Sequence, residues 1–287
     1  MTVRATDIRN VLAIGRADGW ETALYEHAKL LVQRDQSLVE DERCADWIHL
    51  VDPAGLGSAL VLGGDFGTVP VALSRFFARV CAAHAVPEAA EFARMRSGQG
   101  KIANVDVVLV GRRLALPFAD ATFDLVALTD FPFDSRARIS FRRVCGEVRR
   151  VLRPGGVAYL VVPNRWSLQA MALRWPGDGG LEAQGWQGYW RTLRRAGFHE
   201  IHSYAPLPRY LGIPLFYVPL ESRGGLRFFF ENLFPLFEMV SPEAKRNAAV
   251  EYRVARAGVK LARLLRVEGL VRWFVPGFAF VARAVRS

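Results

Sequence analysis

Residues 59–77 constrain the fold of this chain more than any other stretch. Ala59-Leu60-Val61-Leu62 is a short apolar run that ends in a glycine cluster, Gly63-Gly64-Asp65-Phe66-Gly67. Apolar residues at helical spacing follow, among them Val71, Ala72, Leu73, Phe76 and Phe77. The run reads as a buried parallel strand, and the pattern behind it as a helix. Glycine is needed between them because the backbone must turn sharply and approach a ligand closely. A strand feeding such a turn and a helix N-terminus builds a ligand site in open α/β sheets.

From residue 59 onward, strand and helix signals alternate. Strands are expected near 59–63, 79–83, 104–110, 123–129, 156–163 and 198–205. Helices are expected near 70–78, 87–96, 136–152 and 185–196. Such alternation specifies a doubly wound, mainly parallel sheet whose ligands sit at the carboxyl ends of the strands. Residues 1–57 read as a helical cap, closed by the helix breaker Val51-Asp52-Pro53-Ala54-Gly55.

Composition narrows the class. Half the residues are apolar, enough for a large core, and the net charge is +10. That charge suits an anionic partner or a solvated, arginine-rich surface. Nothing beyond charge points to nucleic acid. Cys44, Cys81 and Cys145 are far apart and odd in number, so they outline neither a metal site nor a disulfide framework. No metal is expected. The polar N-terminus has no secretory pattern, and no run of 18 apolar residues is present, so a cytoplasmic protein is expected.

Two further runs carry a family resemblance. Leu116-Pro117-Phe118 leads into Phe123-Asp124-Leu125-Val126, and Arg150-Val151-Leu152-Arg153-Pro154-Gly155-Gly156 precedes a strand ending at Pro163-Asn164. Leu193-Arg194-Arg195-Ala196-Gly197-Phe198 then opens another strand. This succession resembles the class I S-adenosylmethionine-dependent methyltransferases of small-molecule type, over roughly 58–205. The resemblance implies an α/β, Rossmann-like fold with a seven-stranded, mostly parallel sheet. It also implies S-adenosylmethionine as cofactor and methyl transfer to a small molecule in a biosynthetic role. Residues 58–205 would form the core. Residues 206–276 would be an insertion, and 277–287 would supply the final antiparallel strand.

The resemblance also locates a cofactor site, bordered by Gly63, Gly64, Asp65, Gly67, His84 and Arg112. The family's first motif is an acid followed by alternating glycines. One register puts Gly63 at the acid, Asp65 and Gly67 at the first two glycines and Val69 at the third. A register two residues later makes Asp65 the acid. His84 stands where an acid normally grips the ribose, and Gly111-Arg112 where an Asp normally lies near the adenine. Neutral or cationic groups cannot accept two hydroxyls as a carboxylate does. A methyltransferase-like protein that is catalytically inactive, or that has turned the pocket over to another ligand, is the alternative.

On the substrate side, Asp130 is the first candidate for a catalytic base and Asp134 the second; either could instead cap a helix over Ser135–Val151. His199 and His202 should point to opposite faces of a regular strand. Trp186, Tyr189 and Trp190 could line a pocket or simply pack. In the insertion, Ser241-Pro242-Glu243 starts a helix expected to reach Val267, with Arg246, Arg253, Arg256, Lys260 and Arg263 along one side. Such a basic amphipathic helix suits an anionic membrane surface or a partner protein. With Phe228, Phe229, Phe230 and Phe234 nearby, it suggests a bulky apolar or lipid-linked substrate, or a glycan or secondary-metabolite intermediate.

Overall fold

The structure is a computed structural model. It describes residues 5–30, 42–63, 66–111, 113–129, 131, 139–167, 181–207, 214, 216–233, 257, 264 and 275–285. The basic helix expected over 241–267 lies outside the described residues, apart from Ala257 and Leu264.

A single sheet organises the molecule. Its strands are β1 (Ser58–Leu62), β2 (Arg79–His84), β3 (Val105–Leu109), β4 (Phe123–Leu128), β5 (Leu152–Pro163), β6 (Phe198–Leu207), β7 (Phe216–Pro219) and β8 (Gly277–Ala284). They run in the order β3-β2-β1-β4-β5-β8-β6-β7. β1 to β5 pair in parallel, and β8 is antiparallel to both β5 and β6. The strand order reverses between β1 and β4, which is the switch point where such sheets bind ligands. The sheet has eight strands rather than the expected seven. The extra strand is β7, which hydrogen-bonds the otherwise open edge of β6 from Tyr204 to Leu207.

The central strands are apolar on both faces, and each face has its own core. One is filled from α5 (Phe141–Val151) and α6 (Trp186–Arg195). α5 buries Phe141, Val144, Cys145, Val148 and Val151, a helical stripe, and Ser140 caps its N-terminus. The cap is therefore Ser140, later in the chain than Asp130 or Asp134. Tyr189 is fully buried in α6, packed edge-on against Phe141, and its hydroxyl donates to the Pro163 carbonyl; this aromatic is core.

The opposite face is covered by α3 (Thr68–Leu73) and a 3-10 helix (Glu42–Leu50). Trp47 of the 3-10 helix stacks on Tyr159 of β5 with centroids 4.0 Å apart. Beside them α1 (Ala5–Asp18) and α2 (Trp20–Leu30) pack on α4 (Pro87–Gln99) through a small separate cluster. All three cysteines are buried, and none is in a disulfide.

The amino ends of the strands are tied by the two signature runs. Asp124 accepts hydrogen bonds from Gly57 N (3.0 Å), Ser58 N (2.9 Å), Ser58 Oγ (2.8 Å) and Arg153 (2.8 Å). Burial opposes the charge on this carboxyl, but the bonds from Arg153, Ser58 and Gly57 outweigh it and hold the pKa below its ordinary value. Arg150 donates to the carbonyls of Leu116 and Phe118 and to Glu147 and Asp120, while Glu147 accepts from Leu116 N. The Leu-Pro-Phe run is thus held by the helix that ends in the Arg-Pro-Gly-Gly run.

That second run differs from expectation in detail. The chain passes straight from α5 into β5 at Leu152, and Arg153–Gly156 form a bulge opposite β4. Gly155 takes φ 80°, and a Cβ on Gly156 would lie 2.9 Å from the Arg153 carbonyl. Each glycine is required, for a different reason.

A second bulge, in β6, reverses another expectation. His199 pairs with Arg283 and His202 with Val281, two residues apart on β8. The extra residue puts both histidines on the same face of the sheet.

Candidate functional site

The carboxyl ends of the parallel strands are joined by a row of backbone hydrogen bonds. Thr129 N donates to Leu62 O (3.2 Å), Gly63 N to Ala83 O (3.3 Å) and Val110 N to His84 O (2.8 Å). Gly63, His84 and Thr129 are therefore neighbours across β2, β1 and β4. Of the residues singled out from sequence, Gly63, Gly67 and His84 are described and converge here. Gly64, Asp65, Arg112, Asp130 and Asp134 lie outside the described residues.

The turn after β1 needs its glycines. Gly63 has φ 105° and Gly67 φ 73°, both in the left-handed region. Gly67 is the residue before α3, and a Cβ there would lie 3.3 Å from Ala93 Cβ of α4. Val69 is buried inside α3 and is no part of the turn.

His84 closes β2 with 2 % of its surface exposed. Burial, reinforced by the Arg94 guanidinium, pushes its pKa down to about 4, so the imidazole is neutral at physiological pH. Among the described residues, its Nε2 is buried without a hydrogen-bond partner. On the far side of β1, the Thr129 hydroxyl is buried and equally unpaired among the described residues. Buried polar atoms without partners are rare, and two of them flanking one turn mark a place where a ligand can complete the bonding. Sequence reasoning passed over Thr129, although it directly follows β4.

At the end of β5 the rim is tied by Asn164. Asn164 is buried, donates to the Val275 carbonyl (2.8 Å) and accepts from Trp166 N (3.0 Å). Trp166 stands 46 % exposed beside Gly185, and Trp186 Nε1 donates to Ser203 Oγ. Among the described residues, no group of three His, Cys, Asp or Glu side chains could hold a metal ion. Among them too, no helix is long and apolar enough to cross a membrane.

Comparison with known proteins agrees with this architecture. Residues 60–160, about a third of the chain, match the family model described as a methyltransferase domain. No curated protein matches the sequence. Among solved structures, a phosphoethanolamine N-methyltransferase 2 of Haemonchus contortus, bound to phosphomonomethylethanolamine and S-adenosylhomocysteine, superposes with a TM-score of 0.56 at 14 % identity. That match covers 100 % of this chain but 61 % of the other, so the chain spans about three fifths of the Haemonchus protein. The [4+2]-cyclase SpnF gives a TM-score of 0.52 at 18 % identity, covering 98 % of this chain and 93 % of the other. A Haloferax volcanii protein, solved in complex with the Trm112 methyltransferase activator, gives 0.52 at 17 %, covering 99 % of this chain and 100 % of the other. In its Rossmann-like fold and its matched core, the chain resembles the class I S-adenosylmethionine-dependent methyltransferases of small-molecule type.

Proposed function

We propose that this chain transfers a methyl group from S-adenosylmethionine to a small-molecule acceptor. The observation that carries the reading is the pair of unpaired buried atoms, His84 Nε2 and Thr129 Oγ, on either side of the Gly63 turn at the switch point. The family-model match supports the transfer itself. When bound, the cofactor supplies an electrophilic methyl on a sulfonium. The residues present fit it in an unusual way. An alternating-glycine turn that ends where α3 starts counts Gly63 first and Gly67 last, with Asp65 between them. The acid two residues upstream then becomes Val61, fully buried in β1. His84 replaces the ribose acid, and Gly111-Arg112 replaces the third.

A neutral imidazole protonated at Nδ1 accepts one ribose hydroxyl at Nε2, where a carboxylate would accept two. The Thr129 hydroxyl supplies one further hydrogen bond. Asp130, with Asp134 second, takes the acceptor's proton. The Phe-rich and basic segment 206–276 favours a lipid-linked, glycan or secondary-metabolite acceptor and would meet a membrane surface or partner protein. The missing carboxylates favour a second reading, an inactive relative that keeps the fold. The [4+2]-cyclase neighbour is consistent with this fold serving chemistry other than methyl transfer.

Calorimetric titration with S-adenosylmethionine and S-adenosylhomocysteine decides between them. Micromolar binding that weakens at least tenfold in His84→Ala upholds the first reading. No binding up to millimolar concentration overturns it.

A further inference from the structure

The turn after β1 is gripped from behind, on the side away from the crevice. Phe66 points into the cluster formed by Val11 and Leu12 of α1, Ala23 and Leu24 of α2, and Phe92 of α4. Its ring meets Phe92 edge-on at 5.6 Å. Gly67 has Ala93 of α4 against it. Thr68 is reached by Arg96 of α4, whose Nη1 donates to the Thr68 hydroxyl (2.8 Å) and to the Phe66 carbonyl (3.0 Å). Phe66 and Gly67 of the turn, and Thr68 that opens α3, are thus fixed by what lies behind them.

Arg96 also faces the other way. It is only 3 % exposed, and its guanidinium lies 4.4 Å over the ring of Trp20, the first residue of α2. Trp20 N in turn donates to Gln99 Oε1 (2.8 Å), and Gln99 Nε2 donates to the Gly15 carbonyl of α1 (3.3 Å). Around the rim, Arg9 pairs with Glu88 and Arg16 with Glu91. A planar guanidinium can bond in its plane and stack through its face at once; an ammonium or an apolar side chain cannot.

From this geometry we infer that Arg96 is a positioning residue, and that the α1–α2 pair clamps the cofactor turn in its binding shape through Trp20, Phe66 and Arg96. The inference rests on the reading of the turn as the S-adenosylmethionine site. Its consequence is reciprocal: docking of α1 and α2 tightens cofactor binding, and bound cofactor tightens docking by the same factor.

The test compares Trp20→Ala, the milder Trp20→Leu, Arg96→Lys and, as a surface control, Arg79→Gln. Two quantities are read: hydrogen exchange in the unliganded protein, and calorimetric affinity for S-adenosylhomocysteine. The Trp20 and Arg96 variants should speed exchange in residues 66–71 about tenfold, leave β5 residues 157–162 unchanged, and weaken binding about tenfold. Arg79→Gln should do neither. In the wild type, saturating S-adenosylhomocysteine should slow exchange in residues 9–24 as well as in the turn. Exchange and affinity within twofold of wild type in Trp20→Leu and Arg96→Lys would overturn the clamp. Faster exchange in both segments together would also overturn it, since the role would then be general stability. If the wild type binds no S-adenosylhomocysteine while exchange at 66–71 still responds, the clamp stands and the cofactor reading falls.

Discussion

The two ends of the sheet are built on opposite terms. At the amino ends of β1, β4 and β5, every polar group discussed above is paired: Asp124 with four donors, Arg150 with two carbonyls and two carboxylates. At the carboxyl ends, His84 Nε2 and Thr129 Oγ are buried and unpaired among the described residues. The first end is where the recognisable sequence runs meet. The second is where the chemistry is proposed. Resemblance in sequence therefore reports on the end that holds the sheet together, and only indirectly on the end that binds.

This contrast can be broken by substitutions at either end. The largest effect is expected from Asp124→Ala, which strands the Gly57 and Ser58 amides and Arg153. It should cost about 3 to 4 kcal/mol of stability by denaturant unfolding, with little change in ligand affinity beyond what unfolding explains. A cost below about 1 kcal/mol would mean that the amino end is not the structural one.

His84 gives a stability effect of comparable size that depends on pH. Its folded pKa of about 4 lies below the ordinary 6.5, so the unfolded chain binds the extra proton between those values. Stability should rise with pH across that window and be level above it, by up to about 3 kcal/mol in total. His84→Leu should remove this slope while also weakening S-adenosylhomocysteine binding. A slope that survives the substitution would place the titrating group elsewhere.

The smallest effect sharpens the comparison most. Thr129→Val removes a buried hydroxyl that has no partner among the described residues. Free-state stability should stay the same or rise by about 0.5 to 1 kcal/mol, while ligand affinity falls about fivefold, the worth of one neutral hydrogen bond. Loss of both together would show that Thr129 serves the fold instead.

Most of the fold was legible because buried parallel strands are nearly continuous apolar runs and their helices keep a clean stripe. β5 shows where this failed. Pro154-Gly155-Gly156 reads as a break before a strand, yet backbone bonding to β4 resumes at Leu152 on its amino side, and the prolyl-glycyl segment bulges. β7 was missed because Phe216–Pro219 has no pattern of its own; its pairing is dictated by the open edge of β6. The histidines of β6 were assigned to opposite faces because the bulge between them has no signature in residue identity. In the candidate site, position along a succession of motifs is what points to His84. Nothing of the kind points to Thr129, since a lone threonine after a strand says nothing until the absence of any described partner is seen. Arg96 and Trp20 are separated by the whole glycine turn and two strands, and only packing brings them together.

The place of β8 has a consequence for the order in which the molecule can be made. β8 sits between β5 and β6, so among the described residues the β6–β7 pair has no link to the rest of the sheet until residues 277–284 exist. On the ribosome, the half built from β1 to β5 can form as it emerges, while the β6–β7 pair must wait until residues 277–284 have been made. A nascent chain stalled before Gly277 would expose one open edge on β5 and another on β6. β8 is the keystone of the sheet, and the synthesis of residues 277–284 is itself the step that joins its two halves.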